Sequence, residues 1–170
     1  RGRLTIRWLW RDDPEVRARV TRTVAEQRPH FDRIGLDLGY TYDTGAIVPD
    51  GTPPVKRDHV VTDYVPSTRP GARFPHFWLD GRRATRSSHA LLDYRGSTLV
   101  HGAGITPDAA LGDVAASLGV RLTSLGDASI PLACRGAMHT YSQIKNDGAL
   151  LVRPDGHVAW RQQRGVALTE

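Results

Sequence analysis

The sequence predicts an α/β fold, a mixed sheet with flanking helices, on three observations. Ser97-Thr-Leu-Val-His101 alternates as a short strand, Pro107 to Leu118 follows with helix-forming residues, and Val120 to Leu125 returns as a second strand. A strand, a helix and a strand in that order form a right-handed crossover and so pair in parallel. Gly148 to Arg153 and His157 to Arg161 alternate about Pro154-Asp-Gly156, which adds a hairpin antiparallel to the same sheet.

Taken in order, the first element is a strand. Leu4, Ile6, Trp8 and Trp10 recur at every second position, which gives one apolar face carrying two tryptophans. Because the sequence opens on Arg1 rather than methionine, an upstream segment is expected, and the Trp face would pack on it. Asp12-Asp13-Pro14 then starts a helix, a capping carboxylate followed by proline at the first helical position. Val16, Val20 and Val24 make a narrow stripe for lying on a surface, with Arg17, Arg19, Arg22 and Arg28 in water, and Pro29 is read as its end. Leu36, Leu38, Tyr40 and Tyr42 alternate as a strand. Val48 to Arg69 is a long loop rich in proline, with a tight turn at Pro49-Asp-Gly51. A loop of that length is expected to pack on another part of the protein. Thr106 and Pro107 open the crossover helix as cap and first residue, and Gly119 stops it. The core expected from this pattern is Leu99, Leu111, Val114, Leu118, Leu122, Leu150 and Val152.

Composition narrows the function classes. The chain has 170 residues, 39% hydrophobic and 24% charged, enough for one domain with its own core plus a lead-in. No apolar run approaches the roughly 18 to 20 residues that span a bilayer and no signal peptide is legible, so the sequence reads as cytoplasmic with no membrane partner. The net charge is +5, but residues 1 to 33 hold nine arginines against five acids, so +4 of it lies there and +1 in all the rest. Basic charge confined to one helix, without a recognition motif, does not indicate nucleic acid. Cys134 is the single cysteine, which excludes an internal disulfide, a cysteine zinc site and Cys-x-x-Cys redox exchange.

Other constellations have plainer explanations. Gly102-Ala-Gly104 begins a dinucleotide fingerprint, but Pro107 stands where the third glycine belongs, so a tight strand-to-helix turn is the better reading. The seven histidines, at 30, 59, 76, 89, 101, 139 and 157, never fall within five residues of each other, so no metal pair lies on one helix. Ser87-Ser88-His89 lacks a nucleophile elbow, and Asp80 with Asp93 reads as a turn and a solvated face. No catalytic, cofactor-binding or metal residue is assigned.

The stretch Ser67-Thr-Arg-Pro-Gly-Ala-Arg-Phe-Pro-His-Phe-Trp-Leu79 breaks the loop-like region with two arginines, a histidine and three aromatics. Arg73 there could clamp an oxyanion through its fork, or bond backbone or an acid to fix a junction, and the second is favoured. With Gly35-Leu-Asp-Leu-Gly-Tyr40, Tyr42-Asp43, Val48-Pro-Asp-Gly-Thr-Pro-Pro54 and Arg153-Pro-Asp-Gly-His-Val-Ala-Trp-Arg161, this stretch resembles the C-terminal third of the FAD-dependent aromatic-ring and aromatic polyketide hydroxylases of the phenol hydroxylase type. The resemblance implies a thioredoxin-like domain, which agrees with the element order, usually closed by a further helix packed on the sheet.

It also implies that the chain is a structural part of an FAD- and NAD(P)H-dependent monooxygenase that hydroxylates an aromatic, polyketide-derived substrate. In that reading residues 1–35 are a lead-in, 36–80 a linker strand with a proline-rich junction loop, and 81–170 the thioredoxin-like domain. The partners would be the flavin-binding body of the parent enzyme, its aromatic substrate and a possible homodimer mate. Arg73, His76 and Trp78 would sit at the domain junction, and the chain alone would bind neither FAD nor NAD(P)H. The alternative is a free-standing thioredoxin-like module for assembly or dimerisation; a small enzyme acting around His76 is a third reading.

Overall fold

A computed structural model describes residues 13–131 and 139–165. The expected strand at Leu4–Trp10, Cys134 and the end at Val166-Ala-Leu168 lie outside them. Among the described residues no helix is long and apolar enough to cross a membrane.

Helix α1 spans Pro14–Phe31. Its cap is Asp13, whose carboxylate accepts from the Glu15 N–H at 2.9 Å and the Val16 N–H at 3.4 Å. The helix continues two residues beyond Pro29, contrary to the expected stop. A proline this near the end removes only one of the last backbone donors, so the final turn survives it. Val20 and Val24 are 40% and 65% exposed, so the valine stripe is not covered by the described residues.

The expected strand at 36–42 is not formed. Ile34–Asp37 is instead a helical turn, α2, and only Thr41 bridges to another segment, at Ala72. The loop that follows decides this. The Gly35 N–H donates to the Val61 carbonyl at 2.9 Å, and a Cβ on Gly35 would lie 2.4 Å from the Val60 oxygen, so the turn is pressed on the loop backbone.

The sheet has four strands, β1 Ser97–His101, β2 Val120–Ser124, β3 Ala149–Val152 and β4 Val158–Gln162, in spatial order β2-β1-β3-β4. β1 and β2 are parallel, while β3 is antiparallel to both β1 and β4. The mixed sheet, the crossover and the hairpin are those the sequence predicts. Helix α3 spans Ala109–Ser117. It starts later than expected because Asp108, not Thr106, caps it: the Asp108 carboxylate accepts from the Leu111 N–H at 2.8 Å and complements the helix dipole. Gly119, at φ +64°, ends it.

The core lies on one face of the sheet, and it is not the one expected. Leu150 and Val152 are fully buried, but Val114 and Leu118 of α3 are 54% and 71% exposed, and Leu99, Leu111 and Leu122 are half-buried. The buried cluster joins Val100, Leu150, Val152 and Val158 of the sheet to Phe74, Phe77 and Leu79, with Leu91, Leu92, Leu125, Ile130 and Ile144. The tightly covered face is therefore roofed by the 67–79 stretch and its neighbours, not by the crossover helix.

Candidate functional site

The 67–79 stretch is tied to the hairpin through its backbone. Gly71 N–H donates to Val158 O at 2.8 Å, Val158 N–H to Ala72 O at 2.9 Å and Phe74 N–H to Gly156 O at 2.8 Å. Gly71 adopts φ +92°, and a Cβ there would lie 1.9 Å from the Tyr42 carbonyl oxygen, so only glycine lets residue 42 approach. Phe74 is buried, and alternation from Pro75 onward then sends Phe77 and Leu79 inward and leaves His76 and Trp78 outside.

A second anchor is the guanidinium of Arg161, 97% buried. It donates to Asp50, to the Thr52 and Thr68 hydroxyls and to Gln143 Oε1, so the proline-rich loop is fastened to β4. Val48 N–H adds a bond to Ala159 O at 2.7 Å. Burial alone would raise the Asp50 carboxyl, but the Thr52 backbone and hydroxyl donors and the Arg161 guanidinium outweigh it and hold the group below the usual carboxylate range. The loop thus packs on the domain's own sheet edge.

The three residues expected at a junction fall into two places. His76 and Trp78 stand edge-to-face at 4.6 Å on an exposed patch, with His76 Nδ1 2.8 Å from Ser87 Oγ. His89 stacks on His76 at 6.2 Å and bonds the Tyr94 hydroxyl at 2.7 Å. Burial lowers the His89 pKa, and Arg73 and His76 act in the same direction, which favours the neutral form of that imidazole. Arg73 instead lines a cleft with Tyr40, Arg57, Tyr64 and Arg69. Its side chain makes no hydrogen bond or ion pair among the described residues, so the expected bond to a backbone carbonyl or an acid is not made there. Sequence reasoning missed Arg57, Arg69 and Tyr64, because the loop that brings them together has no periodicity.

His157 lies beneath Tyr40 and Tyr42, with ring centroids 5.1 and 4.8 Å away. Neither ring nitrogen has a hydrogen-bond partner among the described residues, and the Asp155 carboxylate is 3.5 Å from Nδ1. Burial lowers its pKa and Arg73 acts in the same direction, against the opposing pull of Asp155.

Nothing at Gly102–Gly104 would cradle a dinucleotide. A Cβ on Gly102 would be 2.2 Å from Asn146 O, and Gly104 N–H already donates to that oxygen at 2.8 Å, so the turn is filled by the 145–148 backbone. The described residues contain no group of three or more His, Cys, Asp or Glu placed to hold a metal.

With this geometry in view, comparison with known proteins is decisive: the family described as aromatic-ring hydroxylase, C-terminal, matches residues 67–170. The chain belongs to that family. Its first matched residue is Ser67, where the core-forming stretch begins. Phenol 2-monooxygenase of a Pseudomonas species is 31% identical to the hydroxylase C-terminal chain over 158 residues, 89% of this chain and 26% of that protein. Tetracenomycin A2 monooxygenase-dioxygenase of Streptomyces glaucescens is 33% identical over 173 residues, 93% of this chain and 26% of its own length. Among solved structures, the flavin-dependent monooxygenase PieE in complex with FAD and substrate superposes with a TM-score of 0.70 at 37% identity, covering 92% of this chain and 28% of PieE. The chain spans about a quarter of the length of the relatives it matches. The fold of this hydroxylase C-terminal region is the mixed α/β fold the sequence predicts.

Proposed function

We propose that this chain is the C-terminal structural part of an FAD- and NAD(P)H-dependent monooxygenase that hydroxylates an aromatic, polyketide-derived ring. The observation that carries this is the superposition on PieE, a flavin monooxygenase solved with FAD and substrate, at 37% identity over 92% of the chain but only 28% of PieE. The names of the relatives, phenol and polyketide hydroxylases, support the substrate class. Flavin would supply oxygen activation, positioning and exclusion of water would belong to the remaining portion, and this chain's role would be structural.

In this reading Arg73, His76 and Trp78 face the flavin-binding body. Trp78, 42% exposed beside two histidines, offers the aromatic contact, and Arg73, without a hydrogen-bond partner among the described residues, offers the charge. The packing of Phe74 and Phe77 with the sheet supports starting the thioredoxin-like domain at Ser67, with the residues before it as the linker. The test is to purify the protein from its source and record its mass and visible spectrum. A polypeptide well above 18.7 kDa with flavin absorbance is expected, and a colourless protein of that mass overturns the reading. In the flavin-containing enzyme, Arg73→Ala and Trp78→Ala should each lower flavin retention, whereas the melting temperature of the 170-residue chain should not change.

A further inference from the structure

We propose that the cleft between Arg57, Arg69 and Arg73 is an oxyanion site that takes a carboxylate or a phosphoryl group. Arg57, Arg69 and Arg73 line one cleft, and its lining includes no aspartate or glutamate. Like charges gathered without an acid repel one another, and arginine does not escape by losing its proton. Each guanidinium has a different degree of commitment. Arg57 gives one nitrogen to the Gly35 carbonyl at 2.9 Å, and Gly39 leaves it room, since a Cβ there would come within 2.5 Å of that nitrogen. Arg69 gives Nε to the Thr52 carbonyl and Nη2 to the exposed Asp43, but its Nη1 is buried without any partner. Arg73 is committed to nothing among the described residues.

A buried donor left unpaired, as Arg69 Nη1 is, is costly, and beside it the half-buried Arg73, uncommitted among the described residues, supplies a second guanidinium for an oxyanion. Tyr40 and Tyr64 line the same space. Burial raises the pKa of both, so each remains a protonated donor at neutral pH and adds no negative charge of its own. The Tyr40 ring also covers His157, which is neutral there, so no further charge arises from below. Oxyanion chemistry can come from a free small molecule or from an acidic side chain of the flavin-binding body. The site itself stands on this chain's residues and is tested apart from the preceding reading.

The experiment titrates inorganic pyrophosphate into the 170-residue chain, followed by calorimetry and by shifts of the tyrosine signals. Saturable binding is expected, weakened roughly tenfold or more by Arg73→Gln and less by Arg73→Lys, which keeps the charge but loses the fork. Arg95→Gln, an exposed arginine outside the cleft, should leave it unchanged. Absence of saturable binding, or an equal loss in Arg95→Gln and Arg73→Gln, overturns the proposal. Repeating the titration with the flavin-binding portion present separates the sources: retained binding assigns a free oxyanion, and binding lost on its addition assigns a carboxylate of that portion.

Discussion

The two faces of the sheet are made from similar residues but end in different states. Leu99 lies opposite Leu122 and Leu151 in the ladder, and Leu151 opposite Trp160, so these four form a row across all the strands on one face. All four are only half-buried, and Val114 of α3 and Leu118 just past its end stand in water. On the other face Val100, Leu150, Val152 and Val158 are fully buried beneath Phe74, Phe77 and Leu79. Burial is a property of what lies over a strand, and alternation in the strand reports only that two faces exist.

The largest effect that would break this comparison is Phe74→Ala. Removing a ring 1% exposed in the closed core should cost about 3 to 5 kcal/mol, read as a shift of the denaturant midpoint at unchanged slope. Equal midpoints would show that the 67–79 stretch is not the roof of the core. Arg161→Met comes next. It leaves the Asp50 carboxylate without its buried partner, and breaking such a pair costs about 3 to 5 kcal/mol, with Asp50 at 16% side-chain exposure placing it at the lower end. The carboxyl is held below its ordinary value of about 3.9, so its stabilisation is complete above that pH and is lost as pH falls through the lower folded value. Acid melts of the wild type should show that decline and Arg161→Met should show less of it.

A smaller effect sharpens the attachment of the Tyr40–Tyr42 segment. His157 is buried with its pKa below the ordinary value of about 6.5, so the unfolded chain takes up its proton first and stability falls as pH drops through that value. The groups facing it are the Tyr40 and Tyr42 rings, Asp155 and Arg73, and attraction to Asp155 limits the loss. Melting temperatures from about pH 8 to about pH 5 should decline, and His157→Phe should flatten the slope. A slope unchanged in His157→Phe would place the titration elsewhere. Smallest of all is Leu118→Ala: at 71% exposure it should change stability by no more than about 0.5 kcal/mol. A loss of several kcal/mol would mean that something covers the α3 face in solution.

Strand and hairpin positions were legible because each rests on local chemistry: alternation in Ser97–His101, the Pro154-Asp-Gly156 turn, and Gly119 in the left-handed region. Segment 36–42 misled for the opposite reason. Its alternation satisfies the strand pattern, but no neighbouring strand accepts its hydrogen bonds, and Gly35 is drawn to the 60–63 loop instead. Of the candidate residues, Arg73, His76 and Trp78 stood out by composition alone. Nothing local marked Arg57 as their neighbour, since it meets Arg73 only through the irregular loop, and Arg69, though in the same stretch as Arg73, did not stand out.

By itself the sequence determined the order of elements, the parallel crossover, the hairpin and the family resemblance, because these follow from spacing and turn chemistry along the chain. Tertiary structure alone decided which face became the core, that Asp50 and Arg161 would meet across 111 positions, and that three arginines would share one cleft. Those outcomes depend on which surfaces compete to cover the sheet and on where a long loop finds partners for its polar groups. That competition is settled by contacts distant in sequence, and no local pattern encodes it.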